Sequence, residues 1–480
     1  MGVPNFLSHI INCAGREVDL QHYSIRKEPL RVAIDISSWI HRACFTYSDV
    51  LADEKHLNNY GRSILQYEEQ QKQQDGIDVP TNKIEVLEFI AKSCETVMEN
   101  VLSFQKETKT EILIVFDGTT PPIKANTVVD RGVKRQIEQA YRDLPVDKSA
   151  QSSLLERRYI ANRRSGAGEH YSSVVDAVIV ALRSEKIPFL VAPYEADAQL
   201  AFLQINGYVD LVVTEDSDLI AYGLSTPLLY RLQRNSKGGM SRGVLIRRND
   251  FAAIFDFNVQ KNSFDLTDFT PSMMACLFAC LGCDYCSKLR GIGLSLACRD
   301  IRAAFLQNDM SECSPLEKLM NSLFKSTWDR MKLTDDDKDV FERDFLAAIV
   351  MYRHAMIFDP INGCCRPMIP FCDADKELTL YGPYTAILRN EIRAVSIIGR
   401  PFPPLIASYI AEGWICPKSF RLRNTDTAMP TSNIQIDLDE YLAERVDAGT
   451  VRIDAPQVFS PKSVHETRLS SQDFFESQTT

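Results

Sequence analysis

Four short apolar runs restrict the possible folds of this chain more than any other feature of its sequence. They read R-V-A-I-D-I at 31–36, E-I-L-I-V-F-D-G at 111–118, P-F-L-V-A-P-Y-E-A-D at 188–197 and V-D-L-V-V-T-E-D-S-D at 209–218. Each run is apolar without alternation, as in a strand that is buried on both faces. Helical patterns at 84–104, 172–185 and 195–206 lie between or after them. The sequence therefore predicts an α/β fold with a mainly parallel central sheet flanked by helices.

Every one of these runs ends in carboxylic acids. In an open α/β sheet the carboxyl ends of neighbouring parallel strands border the ligand crevice, so acids at those ends converge on one place. One further acid, in the segment L-G-C-D-Y, joins the candidate set. The predicted site residues are Asp35, Asp117, Glu195, Asp197, Asp216, Asp218 and Asp284.

So many carboxylates cannot all be ionised close together without a compensating charge. Hard divalent cations prefer oxygen ligands, and Mg²⁺ binds through a few carboxylates, waters and substrate phosphates. Two such ions can hold the attacking and leaving oxygens of a phosphodiester between them. The pattern predicts two Mg²⁺ ions, with Mn²⁺ as the alternative metal. The competing interpretation is that the acids are ordinary helix caps and loop residues, as single acids usually are.

Basic and glycine-rich elements near these acids indicate phosphate binding. Lys124 and Arg131 are seven residues apart after a Pro-Pro, so a helix that begins there would present both to a phosphate. The G-I-G at 291–293 lies between two helical patterns and would offer backbone N–H groups to a phosphate. His41 could stack on a terminal base. A solvated helix face, a plain turn and a surface histidine are the competing interpretations.

Four cysteines lie in and just after the apolar helix that precedes the G-I-G, at positions 276, 280, 283 and 286. Their C-x-x-C-x-x-C portion resembles part of an iron–sulfur sequence. Packing of small apolar thiols on a buried helix is the favoured interpretation. The chain has 13 cysteines, which are scattered, and this usage is typical of reduced thiols in the cytosol or nucleus.

The formal net charge of −10 argues, taken alone, against a nucleic-acid partner. A metal site concentrates acids, however, and a DNA-binding surface needs only a local basic face, so the total charge does not decide the question. No apolar run approaches the roughly 18 residues of a membrane span, and no membrane association is predicted.

Composition divides the chain into four regions. Residues 1–117 form an N-terminal region, and its polar, Gln-rich stretch at 48–83 is predicted to be a surface insertion. Residues 118–171 carry basic clusters and are predicted to form a helical gateway over the site. Residues 172–420 form an internal region that contains the last two apolar runs. Residues 421–480, rich in Thr, Ser, Asp, Pro and Gln, are predicted to be mostly a disordered tail.

Taken together, the motifs resemble those of the structure-specific 5′-nuclease superfamily, which includes the flap endonucleases and the xeroderma pigmentosum group G nuclease. Within it, they are most similar to the exonuclease 1 family. The motifs are V-A-I-D-I-S-S-W-I-H-R, V-F-D-G-T-T-P-P-I-K, L-V-A-P-Y-E-A-D-A-Q-L-A-F-L, T-E-D-S-D-L-I-A-Y-G and G-C-D-Y-C-S-K-L-R-G-I-G. The resemblance covers about residues 1–430.

This resemblance implies a PIN-like core with a helix–two-turn–helix at residues 276–300. It implies that the seven acids are metal ligands and that Lys124 and Arg131 are catalytic. The residues that it assigns to DNA binding are Gly2, His41, Arg290, Gly291 and Gly293. Family members often bind a monovalent cation beside a Ser in the helix–two-turn–helix. Lys288 stands at that position here, and its ammonium group could replace the ion, so K⁺ binding is left open.

The activity implied is that of a nuclear, Mg²⁺-dependent 5′→3′ double-stranded DNA exonuclease with 5′-flap endonuclease activity, acting in mismatch repair and end resection. Its substrates would be DNA with 5′ ends, nicks or flaps. A flap endonuclease or junction resolvase of the same superfamily is one alternative, which Glu195-Ala196-Asp197 disfavours because flap endonucleases carry Glu-Ala-Glu. A non-catalytic nucleic-acid-binding scaffold is another, disfavoured by the intact acids. Phe474-Phe475 in the tail could dock a mismatch-repair protein or a sliding clamp.

Overall fold

A computed structural model describes most of the chain between residues 6 and 423. The described ranges are 6–23, 29–47, 81–124, 170–223, 227–236, 238–255, 263–288, 291–306, 313–331, 334–371, 381–382 and 391–423. The predicted insertion, gateway and tail therefore lie almost entirely outside the described residues. Helix α3 begins at Thr81, so the last residues of the predicted insertion belong to its first turn.

The described helices and strands alternate through the first half of the chain. The helices are α1 (Phe6–Ala14), α2 (Ser37–Tyr47), α3 (Thr81–Thr108), α4 (Tyr171–Ser184), α5 (Ala196–Ile205), α6 (Pro271–Leu281), α7 (Leu294–Leu306), α8 (Pro315–Met331), α9 (Asp335–His354), α10 (Glu391–Ile398) and α11 (Pro404–Ala411). The strands are β1 (Arg16–Asp19), β2 (Arg31–Asp35), β3 (Glu111–Phe116), β4 (Phe189–Val191), β5 (Leu211–Val213), β6 (Leu228–Arg234), β7 (Met240–Ile246), β8 (Ile254–Phe255), β9 (Ser263–Phe264), β10 (Met356–Asp359) and β11 (Cys364–Pro367).

Seven strands form the central sheet, in the order β1-β7-β6-β5-β2-β3-β4. Strands β4, β3, β2, β5 and β6 pair in parallel, whereas β7 and β1 extend the β6 edge in antiparallel fashion. In the middle of the sheet Ile34 is in register with Ile114 on one side and Val213 on the other. The mainly parallel sheet predicted from the four apolar runs is confirmed, since those runs are β2, β3, β4 and β5.

The central strands are apolar because they are covered on both faces. Every residue of β2 and β5 is buried, and β3 is buried after its first residue. Helix α2 packs against α3 and α4, while α5 packs against β2 and β3. Among the described helices, none combines the length and the hydropathy that crossing a bilayer requires.

Two sets of polar contacts hold α4 and α5 in place. The buried side chain of Gln199 on α5 exchanges two hydrogen bonds of 2.9 Å with the backbone of Phe358 on β10. Asp176 on α4 accepts hydrogen bonds from Arg421 at 2.6 Å and from Arg423 at 2.7 Å. These contacts fix the starting points of α4 and α5, which both lie at the carboxyl edge of the sheet.

Candidate active site

The carboxyl edge of the parallel sheet carries the predicted acids. Asp35 is the last residue of β2, and Asp117 directly follows β3. Glu195 is the N-cap of α5, and Asp197 lies in its first turn. Asp216 and Asp218 follow β5, with Asp218 opening a 3₁₀ turn to Tyr222. The seventh acid, Asp284, comes from the segment that follows α6.

A glycine lets two of these strand ends approach each other. The N–H of Thr119 donates to the carbonyl of Pro193 at 3.1 Å, which ties the end of β3 to the segment after β4. A Cβ atom at Gly118 would lie 2.0 Å from the carbonyl oxygen of Ala192, far inside van der Waals contact. Any larger residue would push Asp117 away from Glu195 and Asp197.

Hydrogen bonds from small polar groups orient the two acids on β2 and β3. Asp35 accepts from the backbone N–H of Ser37 at 3.1 Å and from the hydroxyl of Thr214 at 3.1 Å. Asp117 accepts from the hydroxyl of Ser37 at 2.7 Å and from the backbone N–H of Ala196 at 2.9 Å. Ser37 thus contacts both acids and links the two strand ends.

Lys124 reaches into the site from a 3₁₀ turn (Pro122–Lys124). Its ammonium group forms ion pairs with Glu195 and with Asp284, the latter at 3.0 Å, and lies 5.1 Å from the ring centre of Tyr285. The phenol of Tyr285 also donates to Glu195. Burial lowers the pKa of Lys124, but the two carboxylates outweigh it and hold that pKa well above its usual value. Lys124 is therefore charged at neutral pH.

Electrostatic repulsion links the acids to one another. Burial, then Asp117 and Asp216, raise the pKa of Asp35 to about 7. The pKa of Asp197 lies well above its usual value because of burial and the charges of four neighbours, Asp216, Asp35, Asp117 and Glu195. Burial, Asp216 and Asp284 raise the pKa of Asp218 in the same way. The structure thus brings all seven predicted acids into one electrostatically coupled group.

The donor chemistry of this group fits a hard divalent cation. Oδ1 of Asp218 is buried and accepts no hydrogen bond from the described residues, which is costly unless a cation or water satisfies it. All the side chains offer carboxylate oxygens, the ligands that Mg²⁺ prefers. In the described part of the chain, no three His, Cys, Asp or Glu side chains are arranged so that they could already hold one ion. Lys124 lies between Glu195 and Asp284 and forms ion pairs with both.

The four cysteines around α6 all lie in the described residues and pack in or against the hydrophobic core. Cys276, Cys280 and Cys286 are buried, and Cys283 is half-buried. Burial raises the pKa of the Cys283 thiol to about 12, so the thiol stays protonated. These residues pack as small apolar groups, as the favoured interpretation states.

The predicted DNA-binding residues are only partly described. His41 lies on α2 with an exposed side chain. Gly291 adopts a left-handed backbone (φ +85°), and a Cβ atom at Gly293 would meet no atom within 4 Å, just before α7 begins. Helices α6 and α7 flank this turn, as predicted for 276–300. Gly2, Arg131 and Arg290 lie outside the described residues, and so does any helix linking Lys124 to Arg131.

Sequence reasoning missed four residues that shape the site. They are Ser37, Thr214, Tyr285 and Tyr171. The first three are immediate neighbours of predicted acids, at two residues from Asp35, two from Asp216 and one from Asp284. A search for hydroxyl groups beside each strand-end acid would have found them. Tyr171 gives no such signal, because it meets the site only through the packing of α4 on α2.

The sequence of the chain was compared with protein families and with known proteins. Residues 186–284 match the family model described as XPG I-region, a span that includes five of the seven acids. Exonuclease 1 of Xenopus laevis is 27% identical over 357 residues, covering 73% of this chain and 39% of that protein. Exodeoxyribonuclease 1 of Schizosaccharomyces pombe is 29% identical over 308 residues, covering 63% and 44%. The chain therefore aligns with about two fifths of the length of these relatives.

Among solved structures, the catalytic core of Rad2 in complex with a DNA substrate matches with a TM-score of 0.38 and 18% identity, covering 73% of this chain and 86% of that one. The XPG I-region, the sequence relatives and the mainly parallel sheet with acids at its carboxyl edge agree with one another. The chain therefore carries an XPG I-region at residues 186–284 and is similar in sequence to proteins named exonuclease 1 and exodeoxyribonuclease 1.

Proposed function

We propose that the protein is a Mg²⁺-dependent 5′→3′ exonuclease of double-stranded DNA with 5′-flap endonuclease activity, acting in the nucleus in DNA repair. The observation that supports this most strongly is the convergence of seven acids, several of which have pKa values raised by burial and mutual repulsion, with the ammonium group of Lys124 paired to two of the seven. Relatives named exonuclease 1 and exodeoxyribonuclease 1 support the choice of reaction.

Two groups of acids would hold two divalent ions. Asp197, Asp216 and Asp218 would hold one, with Glu195 near enough to bind directly or through water, and Asp35 and Asp117 would hold the other. When bound, such ions polarise the phosphodiester and lower the pKa of water. The hydrogen bonds from Ser37, Thr214 and the Ala196 N–H keep the carboxylates of Asp35 and Asp117 oriented toward the site.

Lys124 supplies a fixed positive charge at the same place. Its ammonium group is close to Glu195 and Asp284, both held at the edge where the phosphate would enter. It would stabilise the negative charge that develops on the phosphate in the transition state, and Arg131 would share this role. His41 would stack on the frayed base at the 5′ end, and residues 276–300 would bind the duplex backbone.

The direct test is cleavage of two end-labelled DNAs with Mg²⁺, a blunt or 3′-overhang duplex and a 5′-flap substrate. Asp216→Asn is the control for contaminating nucleases. Stepwise removal of nucleotides from the 5′ end, absent in Asp216→Asn, is the expected result. Cutting of the flap alone would move the protein to the flap endonuclease class. Binding of both DNAs without cleavage would contradict an enzymatic role and favour a scaffold.

A further inference from the structure

A pair of stacked aromatic rings lies beside the acidic site. His41 on α2 and Tyr171, the first residue of α4, have ring centres 4.2 Å apart and planes inclined by 19°. This is the parallel, offset geometry that aromatic rings favour. The side chain of His41 is exposed and that of Tyr171 is half-buried against the core, so Tyr171 supports the imidazole from the protein side.

The position of this pair relative to the acids is fixed by helix geometry. Ser37, which contacts Asp35 and Asp117, lies four residues before His41 on α2. Residues four apart share a helix face and are separated by a rise of about 6 Å. Burial, and then the charge of Asp117, raise the pKa of the Tyr171 phenol, and Ser37 is near enough to lower it in part. Tyr171 therefore spans the helical turn between the exposed ring and the acidic site.

The anchoring of α4 makes Tyr171 a rigid support. Asp176, five residues farther along α4, is held by Arg421 and Arg423. Arg183, near the end of the same helix, donates to the carbonyl of Glu412 at 2.7 Å and stacks on Trp414. The helix that carries Tyr171 is thus fixed at positions beyond the site, while α2 carries the opposite ring.

We propose that Tyr171 is a positioning residue that holds His41 as a two-ring stacking platform for an unpaired nucleobase at the 5′ end of the DNA. This inference rests on the proposed function, which supplies the DNA substrate. It adds Tyr171 to the site as the residue that supports His41. A base stacked on this platform would lie about one helical turn from the hydroxyl that orients Asp117. The platform accepts any base, because every base has a π-face, so it selects for an unpaired end and not for a sequence.

The test uses DNA whose 5′-terminal base is the fluorescent adenine analogue 2-aminopurine, bound in Ca²⁺ with Mg²⁺ withheld. The wild-type protein is expected to quench this fluorescence through stacking. Tyr171→Leu and His41→Ala are expected to lose the quenching, and Tyr171→Phe to restore it, because the phenylalanine ring can still stack. Melting temperatures of all three variants identify any that fail to fold. His41→Ala, which changes an exposed side chain, shows whether the quenching reports stacking on this ring, and the contrast between Tyr171→Leu and Tyr171→Phe tests the role of Tyr171.

Cleavage kinetics in Mg²⁺ separate positioning from a merely structural role. Tyr171→Leu is expected to lower kcat/KM by about 10-fold on intact DNA. With an abasic 5′-terminal nucleotide, wild type and variant should cleave within about 2-fold of each other, since no base is left to stack. Wild-type quenching in Tyr171→Leu, or an equal loss of cleavage on intact and abasic DNA, overturns the proposal.

Failure of this proposal is distinguishable from failure of the proposed function. If the wild-type protein quenches 2-aminopurine but cuts no DNA in Mg²⁺, the platform stands and the nuclease assignment is wrong. If it cuts DNA without quenching, the nuclease assignment stands and the platform is wrong. If it binds no DNA at all, both are wrong.

Discussion

Buried carboxylates occur in two very different settings in this protein. At the β10–β11 hairpin, Asp359 accepts hydrogen bonds from Arg366 at 2.7 Å, from the Asn362 side chain at 2.8 Å and from the N–H of Ile361 at 3.1 Å. Burial acts to raise its pKa, but Arg366 and Asn362 lower that pKa below its usual range. The protein supplies all the partners that this acid needs.

At the carboxyl edge of the sheet, the effects that raise the pKa of several acids outweigh those that lower it. Burial and like charges raise the pKa of Asp35, Asp197 and Asp218, and Oδ1 of Asp218 accepts no hydrogen bond from the described residues. Lys124 compensates part of this charge. The difference indicates that Asp359 stabilises the fold, whereas the acids of the site store an electrostatic cost that an external cation would relieve.

The largest expected effect is on cleavage by Asp216→Asn. We expect its kcat to fall by about 1,000-fold or more, because metal ions stabilise such transition states by several kcal/mol. DNA binding should persist, since the residues proposed to contact the duplex lie at 276–300, away from Asp216 in the sequence. In EDTA the same variant should melt at a higher temperature than wild type, because one repelling charge is gone. Single-turnover cleavage and thermal melts measure the two effects; near-normal cleavage would refute the assignment.

Lys124→Gln is expected to have the next largest effect. Removing one preorganised charge at the transition state typically costs about 100-fold in rate. Lys124→Arg is the matched control. It replaces the ammonium group with a guanidinium group of the same charge, so it should lose less activity than Lys124→Gln. Without Mg²⁺ the Gln variant should also be less stable than wild type, because Glu195 and Asp284 lose their counter-ion. Equal cleavage rates for the Gln variant and wild type would exclude Lys124 from catalysis.

Asp359→Asn should lower the stability of the protein and leave its cleavage rate unchanged. It leaves the donors of Arg366 and Asn362 without a carboxylate, and we expect the free energy of unfolding to fall by about 1–3 kcal/mol. The cleavage rate per folded molecule should stay at the wild-type value, because Asp359 lies outside the site. Denaturant titration and active-site-normalised kinetics measure both quantities. A gain in stability from this substitution would contradict the difference drawn between Asp359 and the acids of the candidate site.

The smallest effect expected is a pH dependence of stability in EDTA. The pKa of Asp35 is raised to about 7 from 3.8, so between these values the folded protein binds more protons than the unfolded chain. The free energy of unfolding must then fall as the pH rises through that range. We expect the melting temperature to drop by about 5 °C between pH 5 and pH 8, and less in Asp35→Asn. A melting temperature that rises over this range would contradict the coupling.

The sequence was most informative where local pattern and topology coincide. Runs of buried β-branched residues identified β2, β3, β4 and β5, and the parallel order of these strands then placed their terminal acids together. The antiparallel edge of β6, β7 and β1 was not predicted, because its strands are only partly buried and lack a uniform pattern. The ion pair of Lys124 with Glu195 and the stack of Tyr171 on His41 depend on distances across the fold, which no local pattern encodes.

The most direct test of the central claim is a titration of the wild-type protein with Mn²⁺, with free ions counted by electron paramagnetic resonance. Asp216→Asn and Asp359→Asn serve as the paired comparison. We expect about two Mn²⁺ ions per wild-type chain, the same number in Asp359→Asn, and a clear loss in Asp216→Asn. Absence of bound Mn²⁺ in the wild-type protein, or equal binding in Asp216→Asn, would contradict the claim that the acids of the site await divalent cations.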